Sequence, residues 1–323
     1  MVKHIPGIDL LRGFSAFGIV ACHLMLYPGT AVGIWIQHFC DVNVAIFATV
    51  AGFVMSERIW TQPAVGYLKS RTRRLLPAYL LWSAIFVLTS AGFKIVGHEP
   101  LGYLSQISYW LNVVFKGGAS CHLWFLVSLF YAQIILRVMG VRRHPPALIL
   151  AGVAMAVICL STISENWWVK YFARLVGFLF AGVVLRCFLE RAQRLGMFWL
   201  LVLTLVAVGA HIGLQGVLPQ YVRDLIVTCP VVLLFASVRI ETERVIRVAS
   251  LLAGTSLTVY LVHPIFAKIG GLVTKKICAA PYGVVPVVAD WIACYFAALV
   301  FALIVRSVAE AATVWCKGRR SLK

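Results

Sequence analysis

Arg12 and His23 are the two residues best suited to catalysis, and they lie eleven positions apart in the first long apolar run, residues 8–27. In an α-helix eleven residues make three turns plus about 20°, so both side chains would project from one face, about 16 Å apart. Ionisable groups deep in an apolar run are costly and are functional candidates by default. The pattern predicts a cation near one membrane surface and a base within the membrane. The alternative is a surface anchor and a hydrogen-bonded packing histidine.

A second candidate is a cationic run at residues 69–74 that contains Arg71, Arg73 and Arg74, which we call the arginine run. Arginine stays charged and binds phosphate with two parallel hydrogen bonds, so the run suits a phosphorylated or nucleotide-bearing partner. The alternative is an anchor that only fixes membrane orientation, and charge density alone favours that alternative.

Asp41 is a carboxylate within the second apolar segment. If that segment runs from outside to inside, Asp41 lies at roughly the depth of His23, where it would orient the imidazole and stabilise its protonated form. Alternatively, Asp41 pairs with His38, three residues earlier on the same helix. The sequence leaves both arrangements open.

Two further apolar segments carry polar groups. One opens with His122 and Trp124, whose simplest roles are a hydrogen-bonding residue and an aromatic residue at the membrane interface. The other contains Ser256, Tyr260 and His263 and is followed by Pro264, which would free the backbone carbonyl four residues earlier. This many polar groups in one segment indicates the wall of a cavity.

The segments that must position these residues are predicted to be membrane helices. Hydrophobic residues make up 62% of the chain and charged residues 12%, with a mean hydropathy of +0.93, which excludes an ordinary soluble domain. Helices are the open-chain structure that satisfies every backbone group inside a bilayer. Hydropathy predicts an all-α protein with ten spans: 8–27, 34–56, 75–93, 122–139, 146–163, 169–189, 195–214, 221–238, 249–273 and 284–308.

The distribution of charge supports an even number of spans with both termini in the cytoplasm. In that topology 21 of the 29 Lys and Arg residues lie inside and 8 outside, as the positive-inside rule requires. The net charge of +18 comes from basic groups spread over several loops, and their attraction to anionic lipid headgroups explains it. We therefore expect membrane lipids and no nucleic acid as partners. The nine cysteines are scattered without a CxxC pair, and we expect no metal.

Together these residues resemble the membrane-bound acyltransferase-3 family, whose ten-helix members transfer acyl groups, usually acetyl from acetyl-CoA, to hydroxyls of sugars and other acceptors. The resemblance covers most of the chain. It rests on the DLLRG segment with His23, on AGFVM, on the arginine run, on HLWFL and on the stretch from Ser256 to YLVHP.

The resemblance implies that His23 is the essential base, that Arg12 is its partner and that Arg71, Arg73 and Arg74 contact the phosphates of CoA. Asp41 is the candidate carboxylate partner of the base. We expect contacts to the substrate from His122, Trp124, Ser256, Tyr260 and His263. We also expect residues 1–323 to form one integral membrane domain without a separate soluble domain or the esterase-like domain that many members carry.

The expected function is therefore transfer of an acyl group, by default acetyl, from cytoplasmic acyl-CoA to a sugar hydroxyl of a cell-surface or secreted glycan. The expected location is a bacterial inner membrane, where polysaccharide-assembly proteins are candidate partners. A non-enzymatic flippase or exporter of a lipid-linked glycan or small metabolite is the alternative, because ten helices with intramembrane polar residues also suit transport.

Overall fold

The fold, described here from a computed structural model, is helical throughout the described residues, apart from turns and one isolated bridge between Gln215 and Leu218. The structure describes residues 5–22, 31–96, 98, 100–118, 120, 122–138, 147–277 and 284–321, and for some of these residues it describes the backbone only. The long apolar runs form helices because a helix pairs its backbone groups within one segment.

Eleven α-helices and one 3₁₀ turn lie in the described part of the chain. The 3₁₀ turn is Gly102–Ser105, between α3 and α4. The helices are α1 (Pro6–Cys22), α2 (Ala31–Thr61), α3 (Ala64–Val96), α4 (Ile107–Lys116), α5 (Trp124–Val138), α6 (Ala147–Ile163), α7 (Trp167–Leu195), α8 (Met197–Gly213), α9 (Gln220–Ser237), α10 (Glu243–Ile277) and α11 (Val284–Ser321).

Each of the ten predicted spans overlaps one of these helices, so the all-helical prediction is confirmed. By length and composition, five helices of the described residues can cross a membrane: Ala64–Ile95, Trp167–Leu195, Gln220–Ser237, Glu243–Thr274 and Val285–Ala311. The protein is accordingly an integral membrane protein. The count of ten spans and the cytoplasmic termini stay predictions.

The chain divides into two compact units. Unit 1 contains Ala48–Leu234, and unit 2 contains Ile5–Phe47 together with Phe235–Lys323. The division falls inside α2 and α9, so each unit contains part of both helices.

In unit 2, α1 packs against both α10 and α11. Phe17 of α1 stacks on Trp291 of α11, with ring centroids 4.5 Å apart, and its carbonyl accepts a 2.9 Å hydrogen bond from the Trp291 indole. The indole thus contributes apolar area and satisfies its own donor inside the helix packing.

In unit 1, α2 and α7 cross with almost no side chains between them. A Cβ atom on Gly52 would collide with the carbonyl group of Leu179, and one on Gly182 would collide with the carbonyl group of Thr49. Small residues of this kind let two helices approach closely in a membrane. Gly52 and Gly182 therefore allow the two backbones to come into direct contact.

The segment after α3 folds back along it, which the sequence did not predict. Lys94 near the end of α3 lies 4.5 Å from the Tyr103 ring, and further back Tyr79 donates a hydrogen bond to the carbonyl of Val113 in α4. Gly117 ends α4 with a φ of 75°, a conformation that glycine adopts without strain. Helix α4 and the start of α5 therefore lie beside the middle of α3.

Candidate active site

The predicted partner of the base, Arg12, is held by Ser256 within unit 2. Its Nη2 donates to Ser256 Oγ at 3.4 Å, and Ser256 in turn donates to the carbonyl of Ala253 at 2.8 Å. Because the serine proton is engaged with the carbonyl, its oxygen lone pairs are available to accept from the guanidinium. The structure therefore joins two predicted site residues that are 244 positions apart in the chain.

Gly13 allows α1 to lie close enough to α10 for this contact. A Cβ atom at Gly13 would lie 2.7 Å from the Cβ of Leu252, one turn before Ser256. Helix packing thus explains why a glycine follows Arg12 in the DLLRG segment. It brings the arginine within reach of the serine.

Ser256, Tyr260 and His263 lie on one face of α10, because steps of four and seven residues return to nearly the same side of a helix. All three side chains are buried, with relative exposures of 1%, 3% and 0%. Since Arg12 of α1 contacts Ser256, the face that carries these residues is turned toward α1 at that level.

His263 forms a hydrogen bond to the backbone carbonyl that Pro264 leaves without its helical N–H partner. Proline has no N–H for the carbonyl of Tyr260, and His263 Nδ1 lies 2.7 Å from that oxygen. A carbonyl oxygen only accepts, so Nδ1 carries the hydrogen and Nε2 is the basic nitrogen of the neutral ring. The predicted effect of Pro264 is confirmed, and the bond fixes the tautomer of His263.

His23 lies outside the described residues, and for Asp41 the structure gives its position in α2 but not its side chain. Their roles as base and carboxylate partner stay predictions. The neighbouring polar residue Asn43 is buried and lies where a Cβ atom on Gly18 of α1 would collide with it, so α1 and α2 approach closely in unit 2.

In unit 1 the arginine run lies within α3. The Arg71 guanidinium lies 5.0 Å from the ring centroid of Tyr67, whose hydroxyl donates to Gln133 of α5 at 2.9 Å. Tyr67 is completely buried, so this ring is a fixed platform for the cation. Arg73 and Arg74 are exposed. The run therefore combines one positioned guanidinium with two exposed arginines.

His122 also belongs to unit 1, in the turn that leads into α5. It has 1% relative exposure, its Nδ1 lies 2.9 Å from Ser120 Oγ, and its ring packs edge-on against Phe86 of α3 at 4.8 Å. Trp124 is also buried, and its ring centroid lies 5.2 Å from that of Tyr171 in α7. Both residues are thus part of a packed interior, whereas the sequence suggested that they lie at the membrane interface.

Helix α3 connects the arginine run with His122. Twelve residues separate Arg74 from Phe86, the contact of His122, which corresponds to a rise of about 18 Å. An apolar cavity of about 200 Å³ opens between α3, α4 and α5 at the arginine end of this distance, where Leu75 and Tyr79 line it. Unit 1 therefore presents exposed cations, an apolar recess and a buried imidazole in order along one helix.

Comparison with known proteins decides the family. A family model described as an acyltransferase domain matches residues 5–307, nearly the whole chain. The chain belongs to the acyltransferase-3 family. No curated protein and no solved structure matches it. The resemblance inferred from the sequence motifs is therefore confirmed, and the protein is a membrane acyltransferase.

The acyltransferase also contains a buried ion cluster that sequence reasoning missed. Arg174 of α7 lies 3.4 Å from Asp224 of α9, and His211 of α8 lies 3.8 Å from the other oxygen of the same carboxylate. Asp224 is fully buried, and the Arg174 guanidinium also covers the ring of Tyr221 at 4.3 Å. The charged neighbour Asp224, within an apolar helix, was the signal that could have revealed the cluster.

Proposed function

We propose that this acyltransferase moves an acyl group, by default acetyl, from acyl-CoA to a hydroxyl of a sugar in a cell-surface or secreted glycan, at a bacterial inner membrane. Acyl transfer itself follows from the family. The observation that carries the finer proposal is the order of groups along α3, where exposed arginines are followed about 18 Å later by the contact of a buried histidine.

This arrangement suits a donor with an anionic head and a long arm. Arg73 and Arg74 are exposed, and Arg71 is held against Tyr67. Guanidinium groups bind phosphate with two parallel hydrogen bonds. The pantetheine arm of CoA is itself on the order of 15 to 20 Å long, close to the helical rise from Arg74 to Phe86. The charged head would stay at the arginines while the thioester reaches the level of His122.

In the proposed reaction His23 removes the proton of the acceptor hydroxyl, and the oxygen forms a bond to the thioester carbonyl carbon. The carbon–sulfur bond then breaks, and CoA leaves as the thiolate. Arg12, fixed by Ser256, stabilises negative charge that develops on this path. General-base help of this kind contributes about 10² to 10⁴ in rate.

The acceptor contacts in the proposal are the buried polar side chains already described. Each unit offers such groups next to aromatic faces: Tyr260 and His263 on α10 in unit 2, and His122 against the Phe86 ring in unit 1. A sugar has hydroxyls at its edges and apolar C–H groups on its faces, so such a mixture suits it.

The test is incubation of purified protein with acetyl-CoA labelled in the acetyl group and an oligosaccharide acceptor. Transfer predicts label in an alkali-labile ester on the sugar and one free CoA thiol per ester formed. A flippase or exporter would leave the thioester intact and the acceptor unlabelled, which would overturn the proposal. Loss of ester-linked acetate from the glycans of cells lacking the protein would then identify the natural acceptor.

A further inference from the structure

The apolar cavity of unit 1 is lined almost entirely by hydrocarbon. Leu75 and Tyr79 contribute from α3, Val114 from α4, and Val127 and Tyr131 from α5. Among the described lining residues, the two tyrosines carry hydroxyls and none is charged. Its occupant is therefore mainly apolar, with at most a few hydrogen-bonding groups.

The location of the cavity restricts the occupant further. Leu75 directly follows Arg74, and Leu126 on the opposite wall comes four residues after His122. The cavity therefore begins beside the arginines, and its α3 wall ends at Tyr79, seven residues before Phe86. At about 200 Å³ it is smaller than the roughly 300 to 1,000 Å³ of a complete small-molecule site, so it fits one portion of a larger ligand.

We propose that this cavity binds the pantoyl portion of the acyl-CoA arm, an inference that rests on the proposed function. In CoA the two methyl groups of the pantoyl unit are attached one methylene away from the pyrophosphate, whereas the acyl group is at the far end of the arm. A recess that starts one residue after Arg74 matches the methyl groups next to the phosphates. The amides further along the arm match the few hydroxyls of the lining.

Three acetyl thioesters separate the parts of the donor. Acetyl-CoA has phosphates and arm, S-acetylpantetheine has the arm without the nucleotide phosphates, and the acetyl thioester of N-acetylcysteamine has neither phosphates nor pantoyl unit. The variant Val127→Phe fills the cavity from the buried side. Val114→Phe fills it from the exposed rim, where folding is less at risk. Val206→Phe, on the exposed face of α8, is the matched control.

Both cavity variants should raise KM for acetyl-CoA and for S-acetylpantetheine about tenfold, equivalent to about 1.4 kcal/mol, with KM for the N-acetylcysteamine thioester unchanged. Arg73→Gln should raise KM for acetyl-CoA alone. Val206→Phe should change none of the three.

An equal change for all three thioesters, or no change for any, would overturn the assignment of the cavity. A cavity variant that instead discriminates between acetyl-CoA and butyryl-CoA would show that the acyl chain occupies it, which also overturns the assignment. If wild-type protein consumes none of the three thioesters, the proposed function itself fails, which is a different result.

Discussion

At the scale of single residues, some contacts of the candidate site follow from neighbouring positions in the sequence, and others join distant segments. The carbonyl of Tyr260 that accepts from His263 is the one that Pro264 leaves free, and the sequence predicts that free carbonyl but not its donor. The contact between Arg12 and Ser256 joins α1 to α10, and no local pattern encodes which helices become neighbours. Local chemistry was therefore predictable, and contacts between distant segments were not.

Replacing Ser256 with alanine should weaken acyl transfer by orienting Arg12 less well. One hydrogen bond to a charged group is worth about 1.5 kcal/mol, so we expect roughly a tenfold fall in kcat/KM for acetyl-CoA. Ser161→Ala is the matched control, because this buried serine also donates to the carbonyl three residues earlier. Unchanged transfer by Ser256→Ala would mean that the serine does not position the arginine.

At the scale of helices, apolar runs predicted the positions of the long helices but not their exact ends, and they did not predict one short helix. Helix α3 begins at Ala64, eleven residues before the predicted span, because the helix continues through the arginine run. Helix α4 has ten residues in a stretch that also holds glycine and lysine, so hydropathy assigned it to a loop. Hydropathy detects apolar segments long enough to cross the bilayer. The polar first turns of α3 and the ten-residue α4 are not such segments.

The crossing of α2 and α7 should tolerate no side chain at Gly52. We expect Gly52→Ala to lower stability by about 1 to 3 kcal/mol, because a backbone carbonyl lies where the methyl group would be. Gly66→Ala, in a helix with open space around it, should be neutral or stabilise by about 0.5 to 1 kcal/mol. Thermal unfolding of the purified protein in detergent measures both, and equal effects would contradict the described crossing.

The buried carboxylate of Asp224 should hold α7, α8 and α9 together. Asp224→Ala leaves Arg174 buried without this partner, and we expect a loss of about 3 to 5 kcal/mol. The double variant Asp224→Leu with Arg174→Met should recover most of that loss, because an apolar pair of similar size needs no compensation for buried charge. A double variant as unstable as the single one in thermal unfolding would argue against this coupling.

At the scale of the whole molecule, the predicted site residues are divided between two compact units. Arg12, Ser256, Tyr260 and His263 belong to unit 2, whereas the arginine run, His122 and Trp124 belong to unit 1. This grouping does not follow the order of the chain, since unit 2 combines residues from its beginning and its end. The family could be inferred from the order of short motifs, but the grouping needed three-dimensional contacts.

In the proposed reaction, the imidazole of His23 on the first apolar segment removes the proton of the acceptor hydroxyl. The most direct test of this role is the rate of labelled acetyl transfer from acetyl-CoA by His23→Ala, with His98→Asn as a control because His98 is exposed and has a positive φ that asparagine tolerates. With unchanged thermal unfolding, we expect the transfer rate of His23→Ala to fall by a factor of about 10² to 10⁴ and that of the control to equal wild type. Transfer by His23→Ala at a rate close to that of wild type would contradict this role.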